Sequence, residues 1–337
     1  MNIQVQSPVE AGRDAWHIAR RWIAEHGRVA LATVVSTWGS APVPAGGHLV
    51  IGPDDRFEGS VSGGCVEADV LAEAVDIMAS GRPKLLEYGI SDDTAWRVGL
   101  PCGGTIKVLV EPLTRADLPH VDAIIDAREQ RRSIVRVTRI ADGQRSIYRE
   151  GDALSGDVAK ALTSGIVCLI ETPDGTAAVQ PVVPPLRVII VGATHIGQVF
   201  ADMARLTGYG VTVVDPRAAF ASEERFSASA IVADWPQASF DRIGLDARTA
   251  VVALTHASHI DDEAIAAALR TPCIYIGALG SRATNAKRMD RLKAMGFGDN
   301  DLQRIHAPIG LNIGAKGPAE IAVSILAEIV KVSRGAS

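Results

Sequence analysis

The second half of the chain alternates short, predominantly apolar segments with segments of helical periodicity, and this alternation constrains its fold more than any other feature. The apolar segments are RVIIV, VTVVD, AIVAD, TAVVALT and CIYIG. Strands with apolar side chains on both faces are typical of parallel sheets that helices cover on both sides. The pattern therefore predicts an α/β fold, a Rossmann-like doubly wound parallel sheet.

A cluster of prolines precedes the first of these segments. Pro181, Pro184 and Pro185 interrupt regular structure immediately before RVIIV, which indicates a domain boundary. The chain of 337 residues is also long enough for two hydrophobic cores. We therefore expect an N-terminal domain over residues 1–183 and the Rossmann-like domain over residues 184–337.

The N-terminal half mixes helical and strand-like segments. Helical spacing of apolar residues around Trp16 to His26 is followed by the β-branched run VALATVVSTWGS. The turn at Pro53 to Asp55 predicts a hairpin, VEADVLAEAVDIMASG predicts a helix, and TIKVLVEPL predicts a strand. We expect a mixed α+β domain that carries two cysteine-glycine turns.

The first of these turns is GSVSGGCVE, at a strand-to-helix junction. Free amides at a helix N-terminus bind anions, so the amides from Gly63 to Val66 are candidates to hold the phosphate of a pyranopterin or a nucleotide. The helix dipole also favours a thiolate at Cys65. The alternative is that Cys65 is a small buried residue and Glu67 complements the dipole. The candidate cofactor-binding residues here are Ser62, Gly63, Gly64, Cys65 and Glu67.

The second turn, GLPCGG, again joins a thiol to two glycines beside a strand, and its candidate residues are Cys102, Gly103 and Gly104. If the fold brings both turns together, two thiols surround one ligand, an arrangement suited to a soft metal centre or to sulfur held on it. The four cysteines form no CxxC pair, which disfavours a structural zinc site or a disulfide framework. We expect no metal site apart from the metal centre of such a ligand.

The segment VGATHIG has the position of a dinucleotide fingerprint, but Thr194 replaces its middle glycine. Asp215 follows the second strand, where a ribose-binding carboxylate occurs. A nucleotide site and a Rossmann core without a dinucleotide both remain open. The candidate residues at the carboxyl edge of the sheet are Gly192, Thr194, His195, Gly197, Asp215, Arg217, His256, Ser281 and Arg282.

Composition excludes several classes of protein. No apolar run approaches the roughly 18 residues of a spanning helix, and the N-terminus lacks a basic start followed by an apolar region. We therefore expect no membrane association and a cytoplasmic location. A net charge of -5 with scattered basic residues gives no electrostatic basis for binding nucleic acid.

Together these segments resemble the XdhC/CoxI family of molybdenum hydroxylase maturation factors over nearly the whole chain. The resemblance lies in GSVSGGCVE, VGLPCGG, VVDPR, THASHIDD, YIGALGSR, APIGLNIGA and PAEIAVSILAEI. It implies binding of molybdenum cofactor, protection of the cofactor during sulfuration by a cysteine desulfurase, transfer to an apo-hydroxylase, and a homodimer. The chain departs from the family pattern at Val43, Thr194 and Asn312, where Arg, Gly and Asp are expected.

Three functions follow from these observations. The first is a cofactor-binding chaperone in which Cys65 and Cys102 contact the molybdenum end of molybdopterin. The second is an NAD(P)-dependent oxidoreductase, with a thiol or His256 in acid-base work. The third is a scaffold that docks a desulfurase or hydroxylase without binding cofactor. No catalytic residue is assigned from the sequence.

Overall fold

The structure is a computed structural model, and it describes residues 14–39, 41–54, 56–89, 104–154, 156–226 and 229–335. The chain divides into two compact units, one of which ends at Pro184 while the other begins at Pro185. Among the described helices, none is long and apolar enough to cross a membrane. Each unit has its own sheets and cores.

The first unit is built from antiparallel sheets and flanking helices. Its elements are α1 (Ala15–His26), β1 (Arg28–Trp38), β2 (His48–Ile51), β3 (Phe57–Gly59), α2 (Glu67–Ser80), β4 (Lys84–Tyr88), β5 (Thr105–Thr114), α3 (Leu118–Glu129), β6 (Ile134–Arg139), β7 (Arg145–Arg149), α4 (Gly156–Ser164), β8 (Cys168–Thr172) and β9 (Gly175–Val182). The hairpin expected around Pro53 is present as the antiparallel pair β2 and β3.

A five-stranded sheet in the order β3-β2-β1-β5-β4 positions α2. Side chains alternate along β1 because successive residues of a strand point to opposite faces. Ala30 and Ala32 belong to the core that includes Val70 of α2, whereas Val29 and Leu31 belong to the core under α1 and α3. Helix α2 therefore packs on one face of this sheet, and the turn from Ser60 to Val66 connects it to β3.

A buried ion-pair cluster joins this sheet to a second sheet, of order β7-β6-β9-β8. Glu111 of β5 is fully buried and accepts hydrogen bonds from Arg136 of β6 at 2.7 Å and Arg145 of β7 at 2.8 Å. The Arg136 guanidinium also lies 5.4 Å from the ring centroid of Trp16. Burial opposes ionisation of Glu111, but the two arginines outweigh it and lower its pKa to about 2.

The second unit alternates strands and helices. Its elements are β10 (Arg187–Val191), α5 (His195–Leu206), β11 (Gly210–Val214), β12 (Ala230–Val232), α6 (Pro236–Ile243), β13 (Thr249–Ala253), α7 (Ser258–Leu269), β14 (Tyr275–Ala278), α8 (Arg282–Ala294), α9 (Asp299–Leu302), β15 (Ile305–His306) and α10 (Pro318–Ser333).

All six strands of this unit are parallel, in the order β12-β11-β10-β13-β14-β15. Numbered within the unit, this is the order 3-2-1-4-5-6 of the dinucleotide-binding fold. The predicted α/β fold with a C-terminal Rossmann-like sheet is therefore confirmed. The sequence did not predict β15, because two residues are too few to show a periodicity.

Candidate functional site

The segment from Ser60 to Val66 forms a tight turn between β3 and α2. Gly63 and Gly64 have φ angles of +80° and +114°, a region that side chains other than glycine rarely adopt. Both glycines are exposed, and no atom of the described residues lies within 4 Å of a Cβ atom built on Gly64. The part of the chain that the structure describes therefore leaves the backbone at Gly64 uncovered.

The carboxylate of Glu67 lies inside this turn. Its Oε1 accepts hydrogen bonds from the Ser60 hydroxyl at 2.6 Å and from the amides of Val61 and Ser62. Its Oε2 accepts from the Ser62 hydroxyl and from the amide of Gly64 at 2.9 Å. Burial opposes ionisation of Glu67, but the hydrogen bonds from Ser60 and Ser62 prevail and lower its pKa to about 2.

The four amides that were expected to hold a phosphate all have partners within the chain. The amide of Gly63 donates to the Ser60 hydroxyl, that of Gly64 donates to Glu67, and those of Cys65 and Val66 donate to the Ser62 hydroxyl. The prediction of free amides is therefore wrong for this conformation, because the chain supplies its own acceptors.

Cys65 is a free, partly exposed thiol that also packs against the core beneath α2. It follows the two left-handed glycines and precedes the first residue of α2 by two positions. The thiol therefore belongs to the residue that follows the exposed backbone of Gly64. A soft sulfur ligand there suits a transition-metal centre better than a hard cation.

The second cysteine-glycine turn is described only at its end. Cys102 and Gly103 lie outside the described residues, whereas Gly104 is buried and directly precedes β5. Strand β5 pairs with β1 in the same sheet that carries α2. That Cys65 and Cys102 lie close together therefore stays a prediction.

In the second unit, the glycine-rich loop after β10 is tightly packed. Gly192 has a φ of +113°, and a Cβ atom there would lie 2.8 Å from Cγ2 of Thr255. Thr194 is the N-cap of α5, and its hydroxyl oxygen accepts a hydrogen bond from the amide of Gly197 at 3.2 Å. The side chain that replaces the middle glycine of the fingerprint thus caps the helix, while His195 is exposed.

Asp215 follows β11, as predicted, but its carboxylate points into the protein. It is fully buried, and its oxygens accept hydrogen bonds from Arg217 at 2.8 and 2.7 Å and from the amide of Ala193 at 2.8 Å. Burial opposes ionisation of Asp215, but the hydrogen bonds from Arg217 and Ala193 outweigh it and lower its pKa. In this conformation the carboxylate holds the glycine-rich loop instead of facing a ribose.

The remaining candidates of this unit also follow strands of the parallel sheet. His256, after β13, is exposed and has a left-handed φ of +61°, which is strained for a residue other than glycine. Ser281, after β14, is the N-cap of α8 and accepts from the amide of Thr284 at 3.1 Å. Arg282 is exposed at the start of α8. These residues share the carboxyl edge of the sheet, where ligands of such folds bind.

The second unit also contains a buried cluster of two aspartates and an arginine, which the sequence did not predict. Asp261 accepts from the Thr255 hydroxyl at 2.6 Å, and Arg288 lies between Asp261 and Asp262. Burial raises the pKa of Asp261. The two aspartates are consecutive in the sequence, but Arg288, which pairs with both, lies on the later helix α8 and could not be assigned to them from the sequence. Within the described ranges, no three His, Cys, Asp or Glu side chains are grouped to hold a metal ion.

The sequence did carry one indication of the role of Glu67. A Glu three residues after a turn residue, at the start of a helix, is typical of a capping box, in which the carboxylate reaches back to a backbone amide. The bond from the Gly64 amide to Glu67 has that spacing. The additional bonds to Val61 and to the two serines depend on the fold of the turn.

Comparison with known proteins places both units in one family. Residues 22–89 match the model of the XdhC and CoxI family, and residues 188–329 match the model of the XdhC Rossmann domain. The molybdenum cofactor insertion chaperone PaoD of Escherichia coli strain K12 is 30% identical over 307 residues, which cover 90% of this chain and 82% of that protein.

Two further similarities extend over nearly the whole chain. A probable xanthine dehydrogenase subunit of Bacillus subtilis strain 168 is 29% identical over 318 residues, covering 90% of this chain and 93% of that protein. A crystal structure described as a xanthine dehydrogenase from Bacillus halodurans superposes with a TM-score of 0.76 at 25% identity, covering 96% of this chain and 97% of that one. The chain therefore belongs to the XdhC and CoxI family.

Proposed function

We propose that this protein binds molybdenum cofactor and delivers it to a molybdenum hydroxylase of the xanthine or CO dehydrogenase type. The proposal is supported by family membership and by the name of the 30% identical relative, an insertion chaperone. When bound, the cofactor supplies the molybdenum centre that the recipient hydroxylase lacks. The chain itself binds, protects and releases it.

The observation that carries the proposal is the partly exposed thiol of Cys65 in a turn whose backbone is fixed by hydrogen bonds to Ser62 and Glu67. Thiolates are suitable ligands for soft metal centres and for sulfur held on them. We assign Cys65 and Cys102 to the molybdenum end of the cofactor. The other residues assigned to this site are Ser62, Gly63, Gly64, Gly103 and Gly104.

The phosphate of the cofactor requires different donors from those first expected. The amides from Gly63 to Val66 are bonded within the turn, so they hold a phosphate only if Glu67 and the serines release them. We therefore propose that the thiol end of the site provides the main contact in this conformation.

Several partners follow from this function. We propose that the apo-hydroxylase receives the cofactor, that a cysteine desulfurase supplies sulfur while the cofactor is bound here, and that the chain acts in the cytoplasm as a homodimer. Co-purification with each tagged partner, with and without added cofactor, tests these assignments. A complex that forms equally well without cofactor would favour the scaffold function instead.

A dinucleotide bound by the second unit is the alternative, and the strand order of its sheet favours it. The residues that would line such a site are Gly192, Thr194, His195, Gly197, Asp215, Arg217, His256, Ser281 and Arg282. The inward carboxylate of Asp215 opposes the alternative. We therefore place the cofactor-binding function in the first unit.

Retention of pterin by the purified protein tests the proposal. Protein is mixed with molybdenum cofactor and desalted, and the retained pterin is oxidised and measured by fluorescence. We expect close to stoichiometric pterin on the wild type and a large loss in Cys65→Ala and Cys102→Ala. Cys168→Ala, which removes another partly exposed thiol of the first unit, is the matched control and retains pterin. Equal retention by all four proteins contradicts the proposal.

A further inference from the structure

A chain of hydrogen bonds links the backbone of Cys65 to the carboxylate of Glu67. The amide of Cys65 donates to the hydroxyl oxygen of Ser62 at 2.9 Å, and that hydroxyl donates to Oε2 of Glu67. Ser62 is 1% exposed, so water does not compete with these bonds. The position of Cys65 is therefore fixed through Ser62 by Glu67.

The carboxylate of Glu67 also fixes the turn on the other side of the two glycines. It accepts five hydrogen bonds from four residues, Ser60, Val61, Ser62 and Gly64. Hydrogen bonds to an ionised acceptor are stronger than neutral ones. Because Glu67 is the first residue of α2, its backbone is held by a helix while its side chain holds the turn.

We propose that Glu67 is a positioning residue, which presents the thiol of Cys65 to the cofactor through Ser62. This inference rests on the proposed function. Groups that orient a metal ligand without touching the metal change metal affinity by about 10-fold to 100-fold when they are removed. Glu67 fits that role, since both of its oxygens accept hydrogen bonds from within the turn.

Two other roles for Glu67 predict different results. An acidic residue in the first turn of a helix complements the helix dipole, and in that role Glu67 would affect the stability of α2 without affecting retention of cofactor. A carboxylate that merely occupies an anion site would compete with the cofactor, and its removal would then improve retention. The positioning role alone predicts weaker retention that depends on Cys65.

Two serines of the turn provide a matched pair of variants. Ser60 and Ser62 each donate one hydroxyl hydrogen bond to Glu67, but only Ser62 accepts from the amide of Cys65. Ser60 accepts instead from the amide of Gly63. Ser62→Ala breaks the link to Cys65, and Ser60→Ala removes a similar bond elsewhere in the turn.

The experiment measures the rate at which molybdopterin leaves the full-length protein after loading, for Glu67→Gln, Ser62→Ala and Ser60→Ala. We expect about 10-fold faster loss for Glu67→Gln and Ser62→Ala, and a clearly smaller change for Ser60→Ala. Circular dichroism and urea denaturation of each variant verify that the first unit is folded. A Glu67→Gln protein that is folded and retains pterin as well as, or better than, the wild type overturns the inference.

A second arm places Glu67→Gln in the Cys65→Ala background. If Glu67 acts through Cys65, the two effects are not additive, and Glu67→Gln causes no further loss there. Fully additive effects overturn the positioning role. The proposed function is tested separately, by comparing pterin retention in the wild type and in Cys65→Ala. If Cys65→Ala loses pterin while Glu67→Gln and Ser62→Ala retain it, only the inference about Glu67 is rejected.

Discussion

Asp215 and Arg217 form a two-point ion pair at the carboxyl end of β11, with the guanidinium 2.8 and 2.7 Å from the two carboxylate oxygens. Asp215 also accepts from the amide of Ala193 in the glycine-rich loop. A carboxylate at this position commonly binds the ribose of a dinucleotide. Here the same side chain stabilises the loop.

This ion pair predicts weak binding of dinucleotides. We expect calorimetric titration of the wild type with NAD and with NADP to show no saturable binding at micromolar concentrations. A ribose would have to displace Arg217 and the amide of Ala193 from the buried carboxylate of Asp215. Tight binding by the wild type that Asp215→Ala abolishes would contradict this prediction and would favour the oxidoreductase function.

The packing of the same loop predicts that Gly192→Ala is destabilising. A Cβ atom there meets both Cγ2 of Thr255 at 2.8 Å and its amide nitrogen at 2.9 Å. Gly208 is the matched control, because it also has a positive φ but no described residue places an atom within 4 Å of its Cβ position. We expect Gly192→Ala to lower the free energy of unfolding by about 2 kcal/mol more than Gly208→Ala. Equal losses in urea denaturation would contradict the steric argument.

The fold of the second unit was predictable because β10, β11 and β13 are buried on both faces and are therefore predominantly apolar in sequence. The position of Asp215 after β11 was predictable for the same reason. Its orientation was not, because it depends on Arg217 and on the amide of Ala193, which belongs to a different loop. Sequence periodicity places a residue along a strand, but it does not select the partner of its side chain.

The buried cluster of the first unit predicts a large loss of stability in Arg136→Ala. The substitution leaves the carboxylate of Glu111 buried without its main partner, and breaking such a pair costs about 3–5 kcal/mol. Arg139→Ala, on the same strand, is the control, since its ion pairs with Asp142 and Asp174 are exposed. We expect little change for that variant in urea denaturation. A loss in Arg136→Ala as small as that in Arg139→Ala would contradict the prediction and would show that Arg145 alone compensates the charge of Glu111.

The low pKa of Glu67 predicts a pH-dependent contribution to stability. The pKa is about 2 in the folded protein and 4.5 without these contacts, so folding favours the ionised form. The contribution is complete above the unfolded value and is lost as the pH falls through the folded value. The difference in unfolding free energy between the wild type and Glu67→Gln should therefore shrink as the pH falls from about 4.5 to about 2. A difference that grows on acidification would contradict the assigned hydrogen bonds.

The candidate thiol site was predictable in its location more than in its chemistry. Glycines and a cysteine at a strand-to-helix junction indicated the turn, and the structure places it between β3 and α2. The acceptors of its amides were not predictable, because Ser60 and Ser62 approach Glu67 only once Gly63 and Gly64 adopt left-handed φ angles. The turn thus contains its own anion, the carboxylate of Glu67, where the sequence predicted the phosphate of a ligand.

If the chain carries molybdenum cofactor, it must also release the cofactor to an enzyme. The most direct test incubates cofactor-loaded protein with an apo-xanthine dehydrogenase, separates the two, and measures pterin on each together with enzyme activity. We predict that pterin moves from this chain to the dehydrogenase and that activity appears in proportion to the pterin transferred, with Cys65→Ala deficient. Pterin that never binds this chain, or that stays on it while the dehydrogenase remains inactive, would contradict the claim.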